Sequence, residues 1–167
     1  MPFAKLRTEL LNARSRRQRL LQRNLPPHGA SLLQLALNIP GAEKGISGTA
    51  GLFAWGLRQL QVQLPPVTQI LVESDSLGPW GLFRSPLPAL QAKSVTLQIE
   101  EGCDFARLLD IDVYDRSGHP CDRRRLGLPE RSCLLCHLPA KECIRLQRHR
   151  PLQLKERLEE LLKPFTT

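Results

Sequence analysis

Leucines recur at helical spacing in the first part of the chain, and a helix is the first element that this pattern predicts. Over residues 5–23 the apolar positions form one stripe, and the opposite face is rich in arginine. Asn24 and Pro26 end the pattern. We therefore expect residues 1–24 to form a basic amphipathic helix that packs its leucines against the rest of the domain. The alternative use of such a helix is to lie on a membrane surface.

Alternation of apolar and polar residues follows, and it predicts β-strands. Within residues 31–39, leucine or isoleucine recurs at every second position, the period of a strand with one buried face. Shorter runs predict further strands at residues 67–72, 94–99 and 108–114. Residues 77–88 are rich in proline, glycine and tryptophan, so we expect them to form a surface loop.

Two more helical patterns complete the predicted elements. One covers residues 51–63, and the other runs from residue 141 onward, with a stripe of leucines after Pro151. A chain of 167 residues is long enough to bury one core, and 41% hydrophobic and 24% charged residues exclude general disorder. The expected fold is a single α+β domain with a mixed sheet and helices at both termini. Its parts are the helix of residues 1–24, a mixed α/β core at 30–115, and an arginine- and cysteine-rich segment with a final helix at 116–167.

The connection between the first strand and the next helix has the composition of a phosphate-binding loop. Residues 40–51 contain four glycines and Lys44. Glycines let backbone N–H groups approach phosphate oxygens, and the start of the following helix adds partial positive charge. The alternative is a tight connection with no ligand.

Charge and cysteine content narrow the function classes. The 24 lysines and arginines exceed the 16 acidic residues and give a net charge of +8, which favours an anionic partner such as a polyphosphate, an acidic protein or nucleic acid. Aromatic residues are only 5%, which argues against stacking on single-stranded nucleic acid. The sequence shows neither a membrane-spanning segment nor an export signal, so we expect a cytoplasmic protein. In that compartment its five cysteines are expected to be thiols or metal ligands.

A pair of aspartates is the main candidate for chemistry. Asp110 and Asp112 lie two positions apart on a predicted strand, so both carboxylates should project from one face while the intervening apolar residues face the core. Such a pair repels itself unless a cation lies between its members, and Mg²⁺ is often held by one or two carboxylates together with substrate phosphates. The alternative is a pair neutralised by Arg107 and Arg116.

The cysteines suggest a second candidate site. Cys133, Cys136, Cys143 and His149 are the residue types of a tetrahedral zinc site. Their two pairs are closer in sequence than in most zinc sites, and burial of free thiols is the alternative interpretation. Arginines crowd the same part of the chain and suit a polyanionic substrate, although a solvated basic face is the simpler explanation for any one of them. They are Arg116, Arg123, Arg124, Arg125, Arg131, Arg145, Arg148 and Arg150.

These residues also carry a resemblance that covers nearly the whole chain. The chain is similar to the citrate lyase holo-acyl-carrier-protein synthase family, also called apo-citrate lyase phosphoribosyl-dephospho-CoA transferases. The resemblance rests on residues 107–113, Gly118, Arg123, residues 128–129, residues 131–136, Ala140, Cys143, Arg145 and His149, and upstream on residues 40–44, residues 53–56, Arg14 and Arg17. The chain departs from the family pattern at Cys103, Asp104 and Ala106, where a histidine-proline element and a glycine are usual, and at Leu21, where a glutamine is common.

The resemblance implies a nucleotidyltransferase-like fold and a specific reaction. A serine hydroxyl of the acyl carrier (γ) subunit of citrate lyase attacks the α-phosphate of triphosphoribosyl-dephospho-CoA, and pyrophosphate leaves. Mg²⁺ on Asp110 and Asp112 would assist. The implied substrate-binding residues are Lys44, Arg107, Arg123, Arg131, Arg14 and Arg17.

Three other functions remain open at this point. The same chemistry could serve the carrier of malonate decarboxylase. The net charge could belong to a non-enzymatic nucleic-acid-binding protein, although the expected partners include neither nucleic acid nor membrane. The departures near Ala106 are also compatible with an inactive relative that acts as a scaffold.

Overall fold

The computed structural model describes residues 2–41 and 45–166. Lys44, predicted to contact phosphate, lies outside the described residues. Short 3-10 turns link several of the main elements. The main elements, in chain order, are α1 (Pro2–Arg23), β1 (Ser31–Leu37), α2 (Thr49–Gln63), β2 (Thr68–Asp75), β3 (Gly78–Ser85), α3 (Ala89–Glu101), β4 (Leu109–Tyr114), α4 (Ala140–Arg145) and α5 (Pro151–Leu162).

The strands form one sheet in the order β2-β3-β1-β4. Every neighbouring pair is antiparallel. The predicted α+β class is confirmed, but the prediction of a mixed sheet is wrong. The difference arises from β3, which occupies a segment predicted to be a loop. It pairs with β2 through a tight turn and with β1 on its other side.

Two predicted elements are wrong, and both errors have a physical reason. Residues 94–99 lie inside helix α3, where buried positions recur at helical spacing and include the charged Lys93 and Glu100. Residues 77–88 contain strand β3 instead of a loop. The glycine that suggested a turn, Gly81, lies within this strand. A Cβ at Gly81 would lie 2.9 Å from the ring of Phe83, so the absence of a side chain makes room for that ring.

The two faces of the sheet are covered differently. On one face, leucines of β1 and the apolar residues of β4 pack against α2, α3 and α5 in the larger core. On the other face, Trp80, Leu82 and Leu32 pack against Leu21 of α1 in a smaller core. The alternating residues of each strand therefore divide between two cores, as the period of a strand requires.

Helix α1 is attached to the sheet by ion pairs as well as by this smaller core. Arg17 donates to both carboxylate oxygens of Asp75, at 2.8 Å from Nε and 2.6 Å from Nη2. The same guanidinium lies 4.8 Å from the ring centroid of Trp80. Arg16 forms an exposed ion pair with Glu73. None of the helices in the described ranges is both long and apolar enough to cross a membrane.

Candidate active site

Strand β4 presents the two aspartates on the face that it shares with α1. Burial alternates along β4, so that Ile111 is buried while Asp110 and Asp112 are partly exposed. Across the ladder, Asp110 is opposite Ala36 and Asp112 is opposite Gln34. The prediction that both carboxylates project from one face is confirmed. The Asp110 side chain is 45% exposed, so a ligand can reach it.

The electrostatics of the pair show an excess of negative charge. Burial raises the pKa of Asp112 to about 6, and the charges of Asp110 and Glu100 add to this effect against the opposing charges of Lys93 and Arg131. Burial also raises the pKa of Tyr114, together with the nearby aspartates and the hydrogen bond that its hydroxyl donates to Asp112. A cation bound between the carboxylates would relieve this repulsion.

Side chains from other elements bind the outer edge of β4. The amide of Ile111 donates to Oε1 of Glu100 at 2.7 Å, and its carbonyl accepts from Nζ of Lys93 at 2.7 Å. Nη1 of Arg131 donates to the carbonyl of Leu109 at 3.2 Å. These bonds satisfy the backbone of an edge strand and fix the strand that carries the aspartates.

Lys93 and Glu100 were missed by the sequence analysis. Both are buried, with 6% and 2% of their surface exposed. Burial raises the pKa of Glu100, although the charges of Arg131 and Lys93 and the amide of Ile111 oppose the shift. The available signal was the pair of charges at i and i+7, which flank the strand predicted at residues 94–99.

Of the predicted arginines, Arg131 lies beside the aspartate pair, and Arg107 contacts the segment that follows Arg131. Nη2 of Arg131 lies 3.1 Å from Glu100 and 3.7 Å from Asp110. Arg107 binds the backbone of the cysteine-rich segment, donating to the carbonyls of Ser132 at 3.1 Å and of Cys133 at 2.8 Å. Arg131 is thus the nearest described cation to Asp110, and Arg107 positions the segment that follows Arg131.

Two clefts meet at these arginines. The first, of about 830 Å³, is lined by Arg107, Arg131 and Arg123 together with several acidic residues. The second, of about 680 Å³, lies between the end of β1 and the cysteine-rich segment and is also lined by Arg107 and Arg131, with Arg148 and Arg150. A polyanionic substrate placed across both clefts would meet Arg107 and Arg131 at their junction. Gly41, from the predicted phosphate loop, lines the second cleft.

The remaining predicted contacts fall into two groups. Arg123 lines the first cleft and forms an ion pair with Glu101 there. Arg14 is exposed on α1, whereas Arg17 is only 8% exposed and binds Asp75. The contacts of Arg17 are to β2 and β3, which lie three and two strands away from β4. The structure therefore brings Arg123 to the cleft and leaves the two α1 arginines apart from it.

Two of the four departures from the family pattern line the first cleft. Cys103 and Asp104 line the first cleft, and Asp104 forms an ion pair with Arg157 of α5 at 2.7 Å. Ala106 is fully buried behind it, and Leu21 is buried in the smaller core. Cys103 and Asp104 thus belong to the wall of the first cleft, whereas Leu21 belongs to the smaller core beside α1.

The four predicted metal ligands come together beside the second cleft. The donor atoms of Cys133, Cys136, Cys143 and His149 all lie within 4.8 Å of one another. Sequence separation had favoured burial of free thiols, but Cys136 and His149 are only partly buried. The arrangement can hold a metal ion.

A carboxylate pair beside arginine-lined clefts on an α+β scaffold is typical of enzymes that act on phosphorylated substrates. A family model described as apo-citrate lyase phosphoribosyl-dephospho-CoA transferase matches residues 6–165. The chain belongs to this family of transferases.

Individual relatives agree with the family match. Two proteins named apo-citrate lyase phosphoribosyl-dephospho-CoA transferase, from Escherichia coli O139:H28 (strain E24377A / ETEC) and Escherichia coli O8 (strain IAI1), are each 33% identical to the chain over 158 residues. These alignments cover 92% of this chain and 86% of each relative. A protein of the same name from Escherichia coli O1:K1 / APEC is 32% identical with the same coverage.

Proposed function

We propose that the protein transfers a phosphoribosyl-dephospho-CoA group from triphosphoribosyl-dephospho-CoA to a serine of the acyl carrier subunit of citrate lyase. The serine oxygen forms a bond to the α-phosphorus, the bond from that phosphorus to the leaving pyrophosphate breaks, and the hydroxyl proton is released. The observation that carries the proposal is the position of Asp110 and Asp112 beside Arg131, in a chain that the family model matches over residues 6–165.

The aspartate pair fits Mg²⁺. Both candidate ligands are carboxylates on one face of one strand, and the pKa of Asp112 is raised first by burial and then by the charge of Asp110, which a divalent cation would offset. In phosphoryl transfer, such an ion neutralises charge on the phosphate oxygens. Asp110 and Asp112 would hold the ion, and Arg131 would contact the phosphate groups from its place between Glu100 and Asp110.

The arginines at the junction of the two clefts bind the triphosphate in this proposal. Arg131 and Arg107 line both clefts, so they can contact one substrate that passes from one cleft to the other. Arg123 lines the first cleft, and Lys44 belongs in sequence to the glycine-rich residues 40–51. Guanidinium groups suit this task because they bind phosphate oxygens in pairs.

A nucleotidyltransferase-like fold is part of the proposal. It is supported by the antiparallel sheet, by the carboxylates that alternate along β4, and by the helices that pack on the opposite face. The rigid backing of β4 holds the two charges near each other. Phosphoryl transfer depends mainly on such positioning and on charge neutralisation.

The carrier is expected to dock on the basic surface. The net charge of +8 and the exposed arginines of α1, such as Arg14 and Arg19, favour an acidic protein partner. In this arrangement Arg14 acts on the carrier rather than on the nucleotide, whereas Arg17 holds α1 in place through Asp75.

The decisive experiment is intact-protein mass spectrometry of the citrate lyase carrier subunit. The carrier is incubated with this protein, triphosphoribosyl-dephospho-CoA and Mg²⁺, and a carrier with the acceptor serine changed to alanine is the control. A mass gain on the wild-type carrier alone supports the proposal. No gain with well-folded protein contradicts it, and the malonate decarboxylase carrier is then the first alternative acceptor to test.

A further inference from the structure

Three sulfurs and one imidazole nitrogen converge next to the second cleft, all within 4.8 Å of one another. Sγ of Cys136 lies 3.5 Å from Sγ of Cys143 and 3.4 Å from Nε2 of His149. Tetrahedral zinc holds sulfur and nitrogen ligands at about 2.0–2.3 Å, which places neighbouring donor atoms roughly 3.3–3.8 Å apart. The two measured separations fall in this range.

Local backbone geometry brings the first ligand pair together. The amide of Cys133 donates to the carbonyl of Leu138 at 2.7 Å and closes a tight loop around Cys136. The amide of Leu135 donates to Sγ of Cys133 at 3.5 Å. An N–H directed at a sulfur stabilises the thiolate form, which is the form that binds a metal.

The second ligand pair depends on a turn of another kind. Cys143 lies on helix α4, and the amide of Arg148 donates to its carbonyl at 3.0 Å. Gln147 has φ of 46°, and it is the described non-glycine residue with positive φ. This conformation costs energy in a residue with a side chain, and it reverses the chain so that His149 reaches Cys136.

Burial of thiols alone does not explain the convergence. Cys121 is a buried thiol of the larger core and stands outside the cluster. Cys136 and His149 are only partly buried, yet their donor atoms point at each other. His137 follows Cys136 directly in sequence but is exposed and lines the first cleft, so the fold selects His149 instead.

We propose that Cys133, Cys136, Cys143 and His149 bind one zinc ion. Three sulfurs and one imidazole are a donor set that zinc prefers. All four positions of a tetrahedral ion come from the protein, which makes the site structural rather than catalytic.

The zinc site shapes the wall between the two clefts. Arg131 is two positions before Cys133, and Arg107 donates to the carbonyl of Cys133. Both arginines line both clefts. Zinc would thus hold in place the segment through which the substrate-binding arginines are positioned.

The first test is the metal content of the full-length protein after removal of any affinity tag, measured by inductively coupled plasma mass spectrometry. We expect about one zinc per chain in the wild type. Cys143→Ser and His149→Ala are expected to lose most of it. The matched controls Cys103→Ser and His137→Ala remove a cysteine and a histidine outside the cluster and are expected to keep it.

A second measurement on the wild type decides the matter if the ligand variants do not fold. Replacement of zinc by Co²⁺ is expected to give the intense visible bands of a tetrahedral ion and a near-ultraviolet band from thiolate to metal. In parallel, zinc is expected to protect Cys133, Cys136 and Cys143 from alkylation, while Cys103 reacts in either state.

A folded wild type that neither contains zinc nor gains cysteine protection from added zinc overturns the proposal. Equal zinc in ligand and control variants also overturns it. These assays need neither carrier nor nucleotide, so their failure is distinct from a failure of the proposed transfer reaction.

Discussion

The two faces of the sheet differ in what strand β4 contributes: apolar residues to one face and two aspartates to the other. On the face toward α2, α3 and α5, Leu35 of β1 and Leu109 and Ile111 of β4 are fully buried. On the face toward α1, β1 still contributes apolar residues, but β4 contributes Asp110 and Asp112. The comparison teaches that the apolar side of β4 fixes the strand firmly enough for its other side to hold two like charges close together.

The largest effect is expected on the polar face. Asp110→Asn or Asp112→Asn removes one carboxylate of the pair and is expected to reduce transfer by about 100- to 1,000-fold, the magnitude typical of losing one electrostatic stabiliser. The rate of mass gain on the carrier measures it. The control Asp115→Asn lies just after the same strand and keeps an oxygen to accept from the amide of Ser117, so it should retain transfer. A folded Asp110→Asn/Asp112→Asn double variant with the wild-type rate contradicts the assignment.

The second-largest effect is expected on stability, from the loss of Lys93 at the outer edge of β4. Lys93→Met leaves the carbonyl of Ile111 without its donor and removes a positive charge close to the buried Glu100. We expect the free energy of unfolding to fall by about 3 kcal/mol. Urea denaturation measures the change. The control Lys141→Met breaks an exposed ion pair with Glu130 and should cost less than about 1 kcal/mol.

A smaller effect separates two neighbouring arginines of α1. Arg17→Met removes a buried, two-point contact with Asp75 and is expected to lower the free energy of unfolding by about 2 kcal/mol. Arg16→Met removes an arginine that is 48% exposed, so its cost should stay below about 1 kcal/mol. Equal urea midpoints for the two variants would show that the ion pair with Asp75 does not anchor the helix.

The smallest expected effect is a gain in the free energy of unfolding rather than a loss. The pKa of Asp112 is raised from 3.8 to about 6, first by burial and then by Asp110. Because the folded value lies above the unfolded value, the contribution of this group to stability is full below about pH 4 and is lost as pH rises through about 6. Asp112→Asn cannot ionise, so at pH 8 it should be more stable than the wild type by about 1 kcal/mol.

Unfolding by urea in magnesium-free buffer at pH 4 and pH 8 tests this sign. The control is again Asp115→Asn, because the pKa of Asp115 is lowered: burial opposes the shift, but hydrogen bonds from the amides of His119 and Ser117 outweigh it. That control should lose stability at pH 8 and not at low pH. A gain in stability at pH 8 for both variants would contradict the opposite directions of the pKa shifts of Asp112 and Asp115.

The success of sequence reasoning differs between β4 and its neighbours. Alternation along residues 109–114 was enough to place Asp110 and Asp112 on one face, because the period of a strand determines that choice. The same reasoning failed for residues 94–99, where apolar residues at odd positions resemble a strand although the buried set follows a helix. It also failed for β3, since Gly81 looks like a turn residue until its contact with Phe83 is known.

Contacts between residues far apart in sequence could not be predicted, for a different reason. Nothing in the local sequence says that Lys93 and Glu100 bind the backbone of Ile111, because this depends on how α3 docks against β4. The cysteine cluster was predictable only in part. Its residue types were visible in the sequence, but the positive φ of Gln147 that brings His149 to the others appears only in the folded chain.

The capped edge of β4 also limits how another protein can associate with this side of the molecule. An uncovered edge strand invites a foreign strand to extend the sheet, which is a common route to aggregation and to peptide capture. Here the outward backbone groups of Leu109, Ile111 and Val113 bond to Arg131, to Glu100 and Lys93, and to the amide of Cys121. A protein that approaches the aspartates therefore meets side chains with fixed partners, and it must present its acceptor residue on a loop or helix rather than as an added strand.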